Sequence, residues 1–135
     1  MFINIKDQLD NPVVRKIMAE SVFDNSPEAM DYKAEEFRKK SGWFLYGWVE
    51  NGEIKGVCGF EVHSDWVEIL NIAVLPDSKK LGFGSAMITS LKNMYNLPIE
   101  AETDDDAVDF YRKYGFKATA VYKYNIRRWV CVLPV

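Results

Sequence analysis

Little in this sequence is suited to cross-linking, exporting or anchoring a chain. Its two cysteines, Cys58 and Cys131, both sit in apolar, strand-like stretches and are too few for a disulfide scaffold. They are expected to be buried free thiols in a reducing cytoplasm. There is one histidine, His63, and no paired-cysteine spacing, so none of the familiar zinc patterns is present and no metal site is assigned. His63 itself reads as a strand surface residue. No apolar run approaches the ~20 residues that a bilayer helix needs. The start, Met1-Phe-Ile-Asn-Ile-Lys6, lacks the basic segment, apolar middle and small-residue cleavage site of an export signal. A cytoplasmic protein without a membrane partner is therefore expected. Positive charge is not in excess either: 17 Lys and Arg face 20 Asp and Glu, a net charge of −3, which argues against a nucleic-acid partner.

What is present is the makeup of one folded domain over residues 1–135. Hydrophobic residues make up 48% and charged ones 27% of a chain long enough to bury a core. Alternation over Phe2–Ile5 predicts a first strand. Asn11-Pro12 and Ser26-Pro27 are paired start signals, an N-cap followed by proline at the first helical position. The first helix is expected to run to about Ser21 or Phe23. The second, to about Lys40, buries Met30, Ala34 and Phe37, and the charges over Glu35–Lys40 read as its wet face. Aromatic and β-branched runs at Trp43–Glu50 and Ile54–Val62 flank Asn51-Gly52, a tight-turn signal, and so predict a hairpin. Gly56 and Gly59 inside its second strand mark a bulge or a close backbone approach.

The chain is organised around the stretch that follows. Trp66–Leu75 is a strand, Pro76-Asp77-Ser78 a turn, Lys79-Lys80 a basic pair, Gly82-Phe83-Gly84 a flexible step, and Ala86–Tyr95 keeps helical period. A strand, a glycine loop and a helix N-terminus together make an anion cradle, because the first helical N–H groups have no intrahelical acceptor and the helix dipole favours negative charge. Two common guests are excluded. A dinucleotide loop needs a third glycine where this chain has Met87, and a nucleotide P-loop needs a Gly-Lys-Ser/Thr ending that is missing. Beyond Asn96-Leu97-Pro98, Ile99–Thr103 reads as a short strand. Asp104-Asp105-Asp106 start a helix with Ala107, Phe110, Tyr111 and Tyr114 as its buried stripe, Gly115 stops it, and about Lys117–Tyr124 and Ile126–Leu133 close the chain as strands. The last strand suits a sheet core better than a dimer edge. The order β-α-α-β-β-β-α-β-α-β-β is that of a mixed α/β domain.

Two segments together resemble a known family. Ile72-Ala-Val-Leu-Pro-Asp-Ser-Lys-Lys-Leu-Gly-Phe-Gly-Ser-Ala-Met-Ile88 is similar to the acetyl-CoA motif of the GCN5-related N-acetyltransferases (GNAT), and Ala107-Val-Asp-Phe-Tyr-Arg-Lys-Tyr-Gly-Phe116 to that family's second motif. The element order matches over nearly the whole chain. The resemblance implies an α/β GNAT-like single domain, a central mixed sheet of about seven strands flanked by about four helices. It also implies acetyl-CoA as cofactor, with CoA as product, and a small-molecule or peptide amine as acceptor. One departure is that Lys79 stands where the family has Arg or Gln, which keeps the charge but loses the planar fork.

The resemblance carries roles residue by residue. Backbone N–H groups of Lys80, Leu81, Gly82, Phe83, Gly84 and Ser85 would hold the pyrophosphate beside the Lys79 side chain. The strand positions Ile72, Ala73 and Val74 would pair with the pantetheine arm, with an N–H of Ile72 or Val74 polarising the thioester carbonyl. Asp104, Phe110 and Lys113 join the cofactor set, with Arg112 or Lys113 near the 3′-phosphate. Tyr111 would protonate the departing thiolate. An alkyl amine of pKa ~10 is mostly protonated at neutral pH, so a base helps. Glu68 is the expected base, on one strand face with Leu70 and Ile72 unless a bulge intervenes. Glu102 and Asp104 are alternative acids, with helix capping as their competing role. Phe23, Asp24, Trp43, Tyr122 and Tyr124 are acceptor-side candidates. An acyl-CoA sensor without turnover remains the alternative function, and monomer and homodimer are both open.

Overall fold

A computed structural model describes residues 1–135. Strand β1 (Phe2–Asn4) is followed by a 3-10 turn, then by helices α1 (Pro12–Ala19) and α2 (Pro27–Lys39). Strands β2 (Trp43–Glu50), β3 (Glu53–Val62) and β4 (Val67–Val74) form a meander. Helix α3 (Phe83–Tyr95), strand β5 (Ile99–Thr103), helix α4 (Val108–Tyr114) and strands β6 (Lys117–Lys123) and β7 (Ile126–Leu133) complete the chain. The seven strands make one sheet in the order β1-β2-β3-β4-β5-β7-β6. All neighbours are antiparallel except β4 and β5, as the expected α/β fold class requires of a strand–helix–strand crossover through α3. β7 lies inside the sheet, between β5 and β6, so its apolar residues serve the core.

Both early helices start where their caps are. The Asn11 side chain accepts from the Val13 N–H at 2.9 Å and Ser26 accepts from the Ala29 N–H at 3.2 Å, each with proline next in sequence. α1 ends at Ala19, earlier than its apolar spacing suggests, because Glu20 and Ser21 close it with N–H bonds to Ile17 and Met18. Asn11→Ala is expected to cost about 1 kcal/mol, read from the urea midpoint. A loss of only a few tenths would mean that Pro12 alone sets the start.

Each face of the sheet carries its own core. On one side Cys58, Phe60, Val67, Ile69, Ile99, Ala101, Cys131 and Leu133 pack on Met87, Ile88 and Leu91 of α3 and on Val108 and Tyr111 of α4. On the other, Leu45 and Val57 pack on Val14, Ile17 and Met18 of α1 and on Met30, Ala34 and Phe37 of α2. Both cysteines are buried free thiols, and burial pushes their pKa values up.

Two irregularities set up the site. Gly59 on β3 pairs with Asn71, yet the next β3 residue, Phe60, pairs with Ile69, which leaves Leu70 as an extra residue on β4. In addition, β4 and β5 pair only from Val67↔Ile99 to Ile69↔Ala101. Beyond that the strands part, so one edge of β4 from Leu70 to Val74 has no neighbour.

Candidate active site

The parting strands open a cleft of about 1100 Å³ that runs between β4 and the start of α4. Its floor is Ile69–Val74. One end is the loop into α3, the other the turn after α1, from Glu20 to Phe23. Glu102–Asp104, Asp106, Ala107, Phe110, Tyr111 and Arg128 form the far wall.

The bulge decides what the floor offers. The Leu75 N–H donates to the Lys55 carbonyl at 2.9 Å, so that pair is hydrogen-bonded across β3 and β4. Hydrogen-bonded pairs alternate along an antiparallel ladder, so Ala73 and Asn71 also turn their N–H and C=O groups to β3. Ile72 and Val74 therefore present theirs to the open side. Nearer the start of β4 the order is reversed, since the Val67 N–H donates to the Pro98 carbonyl and faces β5. The extra residue at Leu70 switches the phase between these two halves. Ile72 and Val74 thus have free strand edges in the cleft. Ala73 lines the cleft but spends its backbone on Val57.

The loop end of the cleft is built from left-handed backbone and a bare helix start. Lys80 has φ +70° and Gly82 φ +83°, and α3 begins at Phe83. The first backbone donor of this helix to find an acceptor is Ala86, bonded to the Gly82 carbonyl at 2.9 Å. From Lys79 to Ser85 no backbone N–H donates to a protein acceptor. All of these residues except Leu81, whose side chain is exposed, line the cleft. The two glycines have different reasons. Gly82 needs its positive φ, whereas a Cβ on Gly84 would sit 3.0 Å from the Phe110 ring, so Gly84 lets α4 close against α3.

Tyr111 is held at the middle of the wall. Its ring meets Phe110 and Phe116 edge-on, both at 5.2 Å, and only 5% of the residue is exposed. The hydroxyl has no hydrogen-bond partner, yet it is not among the sealed polar atoms, so it opens to the cleft. Burial pushes its pKa up, with smaller contributions from Cys58, Cys131 and Asp104.

Of the three candidate carboxylates, Glu68 alone is placed differently from the sequence expectation. Glu68 does not line the cleft. It stands opposite Glu61 on the α2 side of the sheet, 3.1 Å from His63 Nε2, while Ile72 lies on the α3 side. The expected shared face of Glu68 and Ile72 is corrected by the bulge between them. Glu102 does reach the cleft but is taken up by Lys123 at 2.6 Å and Arg128 at 3.4 Å, and the Lys123 bond chiefly holds its pKa low. Asp104 accepts from the N–H groups of Asp106 and Ala107 at 3.0 and 2.9 Å, which is a capping role at the cleft edge. Helix α4 accordingly begins at Val108, not within the three aspartates.

Other candidates are scattered. Arg112 lies over the Trp129 ring at 4.5 Å and pairs with Asp109, and exposed Lys113 is outside the cleft lining. Phe23 lines the cleft and is fully exposed. Asp24 caps the turn through the Ser26 N–H, and Trp43 packs on Phe37. Tyr122 and Tyr124 are exposed near the β6–β7 turn, outside the cleft. Sequence reasoning missed Glu20, Asp106, Arg128 and Asn71. Asn71 had a visible signal, one amide in the apolar run Ile69-Leu-Asn-Ile-Ala-Val74. Its Oδ1 is buried without a partner and its Nδ2 donates weakly to Ser21 Oγ at 3.5 Å.

The sequence pattern of the acetyltransferase (GNAT) family matches residues 11–116. No curated protein sequence matches the chain. Among solved structures, a GNAT-family protein from Desulfovibrio desulfuricans superposes with a TM-score of 0.80 at 22% identity, over 99% of this chain and 98% of that one. The ribosomal-protein-S18-alanine N-acetyltransferase of Escherichia coli gives 0.77 at 18%, over 100% and 93%. A GNAT acetyltransferase of Elizabethkingia anophelis with acetyl-CoA bound gives 0.68 at 18%, over 93% and 92%.

Proposed function

This chain belongs to the GNAT acetyltransferase family, and from that premise we propose that it is an acetyl-CoA-dependent N-acetyltransferase acting on a primary amine. The observation that carries the proposal is the unbroken run of free N–H groups from Lys79 to Ser85 beside the unpaired edge of β4. A diphosphate with an extended amide tail satisfies both at once. Nothing shorter would use the strand edge, and nothing uncharged would need the loop.

When bound, acetyl-CoA supplies an acetyl group activated as a thioester. The chain's own part is to bind, aim and manage protons. The N–H groups from Lys80 to Ser85 hold the pyrophosphate, with the Lys79 ammonium adding charge but no bidentate fork. Ile72 and Val74 pair with the pantetheine amides, and one of their N–H groups is positioned to donate to the thioester carbonyl oxygen as charge develops there. Tyr111 gives a proton to the departing sulfur. A thiolate in this buried wall is destabilised by the same desolvation that raises the phenol, so the demand for the proton rises together with its retention.

The base role expected for Glu68 is not carried forward, because its carboxylate faces His63 and Glu61. With Glu102 and Asp104 engaged, Glu20 and Asp106 are the two cleft carboxylates left to draw in a cationic amine and take up its proton. The neighbour that acts on a ribosomal-protein alanine carries its own acceptor, and at 18% identity nothing about the acceptor transfers. The two buried free thiols support a reducing, cytoplasmic setting, and no helix is long and apolar enough to cross a membrane.

Titration with CoA tests the donor half. At 100 times Kd, binding is expected to stabilise the fold by about 2.7 kcal/mol and raise Tm by about 10 °C, whereas ATP leaves it unchanged. The reverse pattern would sink the reading. CoA binding with no acetyl transfer across an amine panel would instead favour the sensor alternative.

A further inference from the structure

The one histidine of the chain lies in a cluster that the proposed reaction does not use. Glu61 and Glu68 are direct cross-strand partners on β3 and β4, and His63 sits just past the end of β3. Two like charges directly opposite each other destabilise a strand pair. Neither carboxylate has a lysine or arginine within ion-pair distance, and His63 Nε2 lies between them, 3.1 Å from Glu68 Oε1 and 3.9 Å from Glu61 Oε1. The three ligand atoms fall within 4.8 Å of one another. Two atoms bound at about 2.0–2.2 Å to one tetrahedral ion stand roughly 3.3–3.6 Å apart, a separation that the two histidine distances bracket.

The cluster is also held in place from outside. The His63 ring stacks on Trp66 at 4.0 Å with an interplanar angle of 13°, which fixes the direction of Nε2. The Trp43 indole N–H donates to Glu61 Oε1 at 3.1 Å. Outer hydrogen bonds of this kind orient metal ligands and set their basicity. All three side chains are partly buried, at 30%, 33% and 39% exposure, so an ion can enter without the fold opening.

We propose that Glu61, His63 and Glu68 form a binding site for one divalent first-row transition ion, zinc being the probe of choice. One imidazole nitrogen and two carboxylate oxygens suit zinc, nickel or cobalt, whereas calcium and magnesium prefer an all-oxygen shell. Three protein ligands leave a fourth position for water. The site lies on the α2 face of the sheet, and its ligand Glu68 immediately precedes Ile69, where the cleft begins and the pairing of β4 with β5 ends. An ion there ties β3 to β4 just ahead of the bulge, independent of cofactor binding.

Equilibrium dialysis of the metal-free chain against zinc, followed by elemental analysis, tests this directly. One zinc per chain is expected, with the Tm raised and the fluorescence of Trp66 and Trp43 quenched when cobalt replaces zinc. His63→Ala is expected to weaken binding by about 100-fold, and Glu61→Gln and Glu68→Gln by at least 10-fold each. Each variant is first shown to retain its CoA-induced rise in Tm, so that loss of fold is not mistaken for loss of a ligand. No retained zinc, or zinc retained equally by His63→Ala, would overturn the proposal. So would NMR showing His63 protonated between the two glutamates in the presence of zinc, since the bridging cation would then be a proton.

Discussion

Tyr111→Phe is expected to lower kcat by about 10²–10³-fold while leaving the Kd for CoA unchanged. The size follows from what one positioned proton donor contributes, ~10²–10⁴ in rate. The absence of an affinity effect follows from the geometry. The ring is fixed by Phe110 and Phe116 at 5.2 Å each, and phenylalanine preserves those contacts. The hydroxyl has no partner within the protein, so removing it orphans nothing. A second signature concerns pH. Burial raises the Tyr111 pKa above its ordinary 10.0, so the folded state holds this proton more tightly than the unfolded chain does. That contribution to stability is fully present below pH 10 and is lost as pH rises through the folded value. The wild type should therefore lose more stability than Tyr111→Phe above about pH 10, and Tyr111 should impose no alkaline fall in rate below it. Unchanged kcat in the phenylalanine variant, with an acetyl-transfer readout, would remove the tyrosine from the chemistry and leave it as a core aromatic.

The parts of this molecule that were legible in the sequence are those set by local chemistry. Asn11-Pro12 and Ser26-Pro27 start the helices where they should because a cap and a fixed φ act within three residues. The hairpin turn falls at Asn51-Gly52 because both residues accept positive φ. The left-handed loop at Gly82 and the helix start at Phe83 could be read for the same reason, since glycines before a helix act through their own backbone. What could not be read depends on register between distant segments. Leu70 is the extra residue of the bulge only because Gly59 and Phe60 fix the pairing opposite it, and nothing in Ile69-Leu-Asn-Ile72 announces that. The bulge then moves Glu68 away from Ile72, so an assignment based on strand alternation fails at the residue where the alternation breaks. Arg112 was similarly ambiguous, because its partner Trp129 arrives from the last strand. Glu61 and His63 are two apart in the chain, but Glu68 joins them only through the β3–β4 ladder.

Gly59 should be the least replaceable residue of the sheet. A Cβ there would stand 2.1 Å from Asn71 Oδ1 and 2.6 Å from Phe37 Cζ, closer than any real contact. Phe37 is fully buried and has nowhere to retreat, and the Asn71 oxygen is already sealed without a partner. Gly59→Ala is therefore expected to cost about 3 kcal/mol, at the upper end for overpacking, and to lower Tm by about 10 °C. Gly56→Ala is a useful comparison, since its Cβ would meet the Met87 side chain at 3.0 Å and the Ala73 carbonyl at 3.1 Å, both less severe than the contacts at Gly59, and should cost less. The larger consequence of Gly59→Ala is functional. Asn71 is pushed from its place directly beside Ile72, so the strand edge that faces the cleft turns with it and CoA affinity should fall at least 10-fold. Adding Asn71→Ala removes the nearer clash and leaves the one with Phe37. The double variant should then recover about 1 kcal/mol or more relative to the sum of the two single losses, a coupling expected of residues in contact. Strict additivity would locate the need for glycine in the backbone of β3 alone, and the bulge would then owe nothing to the fit between Gly59 and Asn71.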